Sequence, residues 1–160
     1  MPAKWPKVAQ SGESDDGVFT GEYRHTIDAK GRLAVPARFR SDLAGESHIC
    51  RWIDGCLANF PRAAWDELAG QISGLSRVGD ARAREFARSV FASAFPVELD
   101  GQGRVLVPSN LRAVVGLDTE TVVVGLNDHV ELWSPERWTT YSAAMNEPDE
   151  FAARLTGLEI

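Results

Sequence analysis

The sequence is poor in cysteine and has no long apolar run, and both absences limit its class. Its two cysteines, Cys50 and Cys56, are too few for a disulfide framework, so we expect free thiols in a reducing compartment. No stretch approaches the roughly 18 uncharged apolar residues of a membrane span, and the N-terminus has no apolar run followed by small residues. We therefore predict a cytoplasmic protein with no membrane partner.

Metal-site and catalytic motifs are also scarce. His48, Cys50 and Cys56 lack a fourth ligand nearby, which favours small buried side chains over a zinc site. The sequence contains no G-x-S-x-G elbow, phosphate loop or HExxH. His25, Asp28 and a serine could form a triad, but a strand histidine three residues from a turn aspartate is typical of a structural role. We predict a protein that is not an enzyme and uses no metal or cofactor.

An excess of positive charge is missing as well. Seventeen Lys and Arg face 23 Asp and Glu, a net charge of −6, which excludes a generally basic protein that coats nucleic acid. A local basic patch is nevertheless present, because residues 22–40 carry five basic and two acidic side chains. Residues 118–160 carry nine acidic and two basic side chains. With 44% hydrophobic and 25% charged residues, the composition is that of one globular domain or two very small ones.

One segment of the chain is repeated. Residues 28–40 read DAKGRLAVPARFR and residues 100–112 read DGQGRVLVPSNLR. Six of the 13 aligned positions are identical, namely Asp, Gly, Arg, Val, Pro and the final Arg, where average composition gives roughly one match. With a one-residue gap the similarity extends to Phe60 with Trp133 and to Trp65 with Trp138. The chain therefore contains two copies of one unit.

Each unit begins with a predicted strand, a tight turn and a second strand. In the first unit the turn spans residues 28–31, where Gly31 permits a positive φ and the Asp28 carboxylate can accept backbone N–H groups two residues on. Pro36 then opens a predicted short helix through about Leu43, with the proline at its first position. The second unit predicts the same order, with a turn from Asp100 to Gly103 and a helix from Pro108.

The rest of each unit predicts a strand pair followed by helix. The strand pairs are residues 48–53 with 57–60 and residues 121–125 with 130–133, joined by turns at Asp54-Gly55 and Asn127-Asp128. Apolar residues at helical spacing predict two helices between the units, one around residues 65–75 and one around residues 83–91, and a third over about residues 135–144. We interpret their apolar stripes as core or subunit interface.

The repeated D-x-x-G-R turn is the best candidate for function. In the structural interpretation, the turns are closed by Asp28, Gly31, Asp100 and Gly103. Each arginine then pairs with a carboxylate in the sheet. Its functional interpretation rests on Arg32 and Arg104. Each begins a strand directly after a turn, where a guanidinium can make bidentate contacts to phosphate or guanine.

At these residues the sequence resembles the MraZ family of bacterial transcriptional regulators. Five ordered blocks carry the resemblance: FTGEY (19–23), DAKGRLAVP (28–36), DGCL (54–57), DGQGRVLVP (100–108) and VELW (130–133). The resemblance implies an α+β fold in which two tandem repeats form an AbrB-like double-split β-barrel with short helices, and further helices pack between subunits. It also implies rings that bind repeated elements upstream of the division and cell-wall gene cluster and repress it.

The family's D-x-x-x-R motif falls on Asp28 with Arg32 and on Asp100 with Arg104. The resemblance therefore implies DNA contact through both arginines, with added phosphate contacts from Lys30 and Arg38. In the second repeat Gln102 and Asn110 replace these two basic residues, so we expect that repeat to hold DNA less well. The implied partners are double-stranded DNA and further copies of the chain, in a cytoplasmic protein associated with the nucleoid.

The predicted organisation has five segments. They are a disordered extension (1–17), the first repeat (18–69), a helical segment (70–93), the second repeat (94–141) and an acidic tail (142–160). Members of the family usually begin with Met at the position of Val18, and a GTG start codon specifies valine, so we hypothesise an upstream mis-assigned start. The alternative function is an oligomeric scaffold in which the arginine turns bind acidic surfaces of neighbouring subunits rather than DNA.

Overall fold

The computed structural model describes residues 19–159. Eight strands, three residues or longer, lie within this range: β1 Glu22–Thr26, β2 Arg32–Ala34, β3 Ser47–Arg51, β4 Leu57–Pro61, β5 Phe95–Val97, β6 Arg104–Leu106, β7 Glu120–Gly125 and β8 Val130–Trp133. The five α-helices of the described range are α1 Arg62–Ser76, α2 Ala81–Ser93, α3 Ser109–Val115, α4 Pro135–Asn146 and α5 Pro148–Ala153. The fold is therefore α+β, as predicted, and its strands all pair antiparallel.

The two repeats exchange their first strands. The larger sheet has the order β1-β7-β8-β4-β3-β5. In this order the first strand of repeat one (β1) pairs with the third strand of repeat two (β7), and β5 of repeat two pairs with β3 of repeat one. The strand order is thus symmetric about the β8–β4 contact. Neither repeat completes its own part of the sheet, because each takes an edge strand from the other.

The second strands of the two repeats form a separate two-stranded ribbon. In it Leu33 lies opposite Val105, with Arg32 opposite Leu106 and Ala34 opposite Arg104. Leu33 and Val105 are buried, and side chains alternate between the two faces of a strand. Arg32 and Arg104 therefore lie on the other face of the ribbon, diagonally across it.

The inter-repeat helices pack against their own chain. In α1 and α2 the buried side chains are those of Trp65, Ile72, Ala87 and Val90, and they share a core cluster with Phe60 of β4. Asp80 caps α2 by accepting the backbone N–H of Ala83 at 2.9 Å. The amphipathic spacing correctly predicted both helices, and part of their apolar stripes is core.

The turns agree with the predictions, whereas one helix differs. Asp54 and Asn127 have the positive φ values of 68° and 67° that tight hairpins need. The helix predicted from Pro36 to Leu43 is a 3-10 turn over Ala37–Phe39, with the proline one residue before it. Ser41 and Asp42 follow this turn, and both residue types favour turns over helix interiors because such side chains can bond nearby backbone groups.

Helix α5 is an element that the sequence did not lead us to expect, because it lies in the segment predicted as an acidic tail. Its start carries recognisable signals: Pro148 at the first position and the Glu147 side chain accepting the N–H of Glu150 at 2.8 Å. The predictions for residues 1–17 fall outside the described residues. The segment boundaries remain predictions.

Candidate nucleic-acid interface

Both repeated turns have the same closed geometry. The Asp28 carboxylate accepts the backbone N–H groups of Lys30 and Arg32, each at 2.9 Å, and the N–H of Gly31 donates to the Asp28 carbonyl at 3.0 Å. Gly31 has φ +83°, in the left-handed region that glycine adopts without strain. The aspartate and the glycine therefore build the turn.

The second turn reproduces each of these contacts. Asp100 accepts the N–H groups of Gln102 and Arg104 at 2.9 Å, the N–H of Gly103 donates to the Asp100 carbonyl at 3.0 Å, and Gly103 has φ +73°. The repeated sequence thus encodes one local structure twice.

The two turns meet at one carboxylate. Nε of Arg32 donates to Oδ2 of Asp28 at 2.9 Å, and Nε of Arg104 donates to Oδ2 of Asp100 at 2.9 Å. Nη1 of Arg104 also lies 3.5 Å from Oδ2 of Asp28. Because the ribbon holds both arginines on one face, the chain has one paired-arginine site rather than two distant tips.

The arginines are oriented but remain accessible. The side chain of Arg32 is 33% exposed and that of Arg104 is 24% exposed. Each aspartate binds the Nε side of its arginine, which fixes the plane of the guanidinium. A guanidinium held in this way can form two parallel hydrogen bonds to a phosphate or to the O6 and N7 edge of guanine.

Local hydrogen bonds keep both turn aspartates ionised. The backbone N–H of Arg32 lowers the pKa of Asp28; desolvation opposes this shift, and the Arg32 side chain and the Lys30 N–H add to it. The backbone N–H of Arg104 likewise lowers the pKa of Asp100, again against desolvation, with help from Gln102 and the Arg104 side chain. Both carboxylates are therefore charged at neutral pH and can pair with their arginines.

The other predicted contact residues lie at different places. Lys30 is exposed within the first turn, where Gln102 takes the same place in the second. Arg38 is exposed in the 3-10 turn, and its Nη1 donates to the hydroxyl of Tyr23 at 2.9 Å. Asn110 occupies the equivalent position in α3. The structure thus places Lys30 in the turn that leads to Arg32 and ties Arg38 to β1 through Tyr23.

Two arginines next to the site had no predicted role. Arg40 and Arg112 are the final identical positions of the repeated segment, and their Nε atoms donate to the carbonyls of Val35 and Val107, each at 3.0 Å. Their identity at equivalent positions of the two repeats was the sequence signal that could have pointed to a role.

The cysteines are buried, as predicted. Burial raises the pKa of Cys50 to about 12 and also raises that of Cys56, so both are protonated thiols at neutral pH. Between residues 19 and 159 no three potential metal ligands cluster. None of the helices in this range is long and apolar enough to cross a membrane.

The fold and the site define a two-repeat α+β protein whose repeats join their Asp–Arg turns in one ribbon. A family model described as "MraZ protein, putative antitoxin-like" matches residues 18–88 and again residues 90–158. The chain belongs to the MraZ family, a family of transcriptional regulators and not a class of enzymes.

Relatives from three bacteria carry the name "Transcriptional regulator MraZ". The one from Roseiflexus castenholzii is 47% identical over 142 residues, covering 88% of this chain and 99% of the relative. The one from Thermomicrobium roseum is 46% identical with the same coverage. The one from Leuconostoc citreum is 42% identical over 143 residues, covering 89% of this chain and 99% of the relative.

Proposed function

We propose that the protein is a sequence-specific DNA-binding repressor of its own division and cell-wall gene cluster. In this proposal, rings of the chain bind repeated elements upstream of the cluster, in a cytoplasmic protein associated with the nucleoid. The observation that carries the proposal is the convergence of Arg32 and Arg104 on the Asp28 carboxylate, at 2.9 and 3.5 Å. Two oriented guanidiniums on one ribbon face suit recognition of base edges in the major groove, which admits a two-stranded ribbon.

Lys30 and Arg38 add phosphate contacts in this proposal. Lys30 is exposed beside Arg32, so its flexible ammonium can bind a backbone phosphate while the arginines contact the bases. The replacement of Lys30 by Gln102 in the second turn makes the first turn the stronger electrostatic contact.

A ring would combine many such sites. Exposed apolar side chains on α1 and α2, namely Leu75, Phe86 and Phe91, offer surfaces for contacts between copies. When one site binds the first element, the neighbouring sites are held near the next elements at high effective concentration. Spacing of the elements would then contribute to specificity.

An anisotropy titration tests the proposal. The full-length protein is titrated into the labelled upstream region of its own gene and into a scrambled duplex of equal length, between about 50 and 200 mM salt. Preference for the upstream region together with salt-dependent affinity supports the proposal. Equal binding to both duplexes contradicts sequence-specific recognition. Absence of DNA binding, combined with loss of assembly in Arg32→Ala, supports the scaffold alternative.

A further inference from the structure

We infer that Arg40 and Arg112 are positioning residues, each of which holds the Asp–Arg turn of the other repeat in the shape that DNA binding requires. The consequence for DNA rests on the proposed function. The crossed contacts themselves are a property of the fold.

The first contact set runs from Arg40 to the second turn. Nε of Arg40 donates to the Val35 carbonyl at 3.0 Å, and the N–H of Val35 donates to the Gly103 carbonyl at 3.0 Å. A Cβ atom added to Gly103 would lie 2.7 Å from both Cδ and Cζ of Arg40. The guanidinium of repeat one therefore lies directly against the turn glycine of repeat two, next to Arg104.

The second contact set is its counterpart. Nε of Arg112 donates to the Val107 carbonyl at 3.0 Å, and the N–H of Val107 donates to the Gly31 carbonyl at 2.8 Å. A Cβ atom added to Gly31 would lie 3.1 Å from Nη2 of Arg112. The arginine of repeat two thus covers the turn glycine of repeat one, next to Arg32.

These contacts explain why the identity of the repeats extends to the final arginine. A guanidinium supplies both an Nε donor for the valine carbonyl and a flat surface that fits over a residue without a side chain. An ammonium can donate, but it has no such plane. Arg40 and Arg112 therefore constrain the backbone from which Arg104 and Arg32 emerge.

Hydrogen exchange of the DNA-free protein tests the crossed positioning. Peptides covering residues 28–34 and 100–106 are followed by mass spectrometry in the full-length protein. We expect Arg40→Lys to accelerate exchange about tenfold in 100–106 and to leave 28–34 unchanged, because a lysine can keep the donation to Val35 but loses the flat guanidinium that lies against Gly103. Arg112→Lys should do the reverse. Arg24→Lys, an exposed change on β1, is the matched control and should alter neither peptide.

Each outcome decides the inference. The inference is overturned if exchange accelerates in the variant's own repeat, if it accelerates equally in both peptides, or if it accelerates in neither. If one arginine variant does not fold, its counterpart still reports on the opposite turn.

DNA affinity then separates this inference from the proposed function. We expect Arg40→Lys to weaken upstream binding about tenfold, and its effect to be non-additive with Arg104→Ala but additive with Arg32→Ala. Additivity with Arg104→Ala together with non-additivity with Arg32→Ala would overturn the positioning role. If the variants show the crossed exchange effects but the parent protein binds no DNA, the proposed function is refuted and the crossed positioning still holds.

Discussion

Nη1 of Arg104 lies 3.5 Å from Oδ2 of Asp28, the same oxygen that accepts a hydrogen bond from Nε of Arg32 at 2.9 Å. The carboxylate of repeat one therefore contacts the arginines of both repeats. The contacts of the two arginines with these aspartates are unequal, because Arg104 uses two nitrogens and Arg32 uses one. The site has approximate rather than strict two-fold symmetry, so the two arginines need not contribute equally.

Arg32→Ala should weaken binding to the upstream elements by about 1–3 kcal/mol per engaged site and relax sequence preference, because a bidentate base contact is lost. Anisotropy titrations with upstream and scrambled duplexes measure both effects. Arg24→Ala removes an equal charge from an exposed position on β1 and serves as the control. Unchanged affinity in a folded Arg32→Ala protein would refute base recognition by Arg32.

Lys30 and Gln102 permit a reciprocal test of the phosphate contacts. Lys30→Ala should weaken upstream and scrambled DNA alike and reduce the salt slope by about one. Gln102→Lys places the same charge in the second turn and should increase both the affinity and the slope. A change in sequence preference in either variant would argue that these positions contact bases instead.

Asp28→Asn tests whether the carboxylate orients the arginines. The change removes a negative charge, so pure electrostatics predicts tighter binding to every duplex. We expect non-specific affinity to hold or rise while preference for the upstream region falls, because both guanidiniums lose an ionic partner. Improved affinity with unchanged preference would contradict an orienting role.

The pH dependence of the site follows from its two aspartates. Their folded-state pKa values are lowered, so their stabilising contribution is complete above the ordinary aspartate value and is lost as pH falls through the lowered values. We expect the upstream preference of the parent protein, measured by anisotropy titration at each pH, to be unchanged between pH 8 and about pH 5.

His129 has the opposite dependence. Burial lowers its pKa, but the side chains of Glu131 and Asp128 outweigh this and raise it; Nδ1 lies 2.7 Å from Asp128. A raised pKa stabilises the fold fully below the unfolded value near 6.5, and this contribution is lost as pH rises through the folded value. Urea unfolding should therefore show a stability that declines as pH rises above the unfolded value near 6.5.

The control for this effect is His129→Phe, which keeps a ring able to stack on Phe60, whose centroid lies 4.6 Å away. The variant should lose the His129 part of the pH-dependent decline. Identical slopes in the parent and the variant would show that another group causes it.

Local structure was predictable here because its causes lie within a few residues. Asp28 closes its turn through N–H groups two and four residues on, and Asp54 and Asn127 fall in hairpins that need a positive φ. The exchange of β1 and β5 between the repeats was not predictable in this way. Strand alternation specifies which face of a strand is buried but not which strand it pairs with.

The same limit applies to the site. The repeated aspartates, glycines and arginines were found from sequence, but the meeting of Arg104 with Asp28 depends on the register of the β2–β6 ribbon. Arg40 and Arg112 were recognised from the sequence only as identical residues at the end of the repeated segment, with no role assigned to them. Their partners are the turn glycines of the opposite repeat, far away along the chain.

Replacement of the turn glycines separates backbone strain from the arginine contact. Gly31→Ala and Gly103→Ala both force a Cβ onto a positive φ, which costs about 1–3 kcal/mol of folding free energy. Gly103→Ala should cost more, because its Cβ would also meet Arg40 at 2.7 Å, against 3.1 Å from Arg112 at Gly31. Gly101→Ala is the matched control, since a Cβ there meets nothing within 4 Å.

Urea unfolding of the three variants measures this order. We expect Gly101→Ala to remain within about 0.5 kcal/mol of the parent, as surface substitutions usually do. Combining Gly103→Ala with Arg40→Ala should recover part of the added cost, because the clash is removed while the positive φ remains. If the Arg40 change gives no recovery, backbone conformation alone requires glycine at position 103, and the arginine does not constrain the turn.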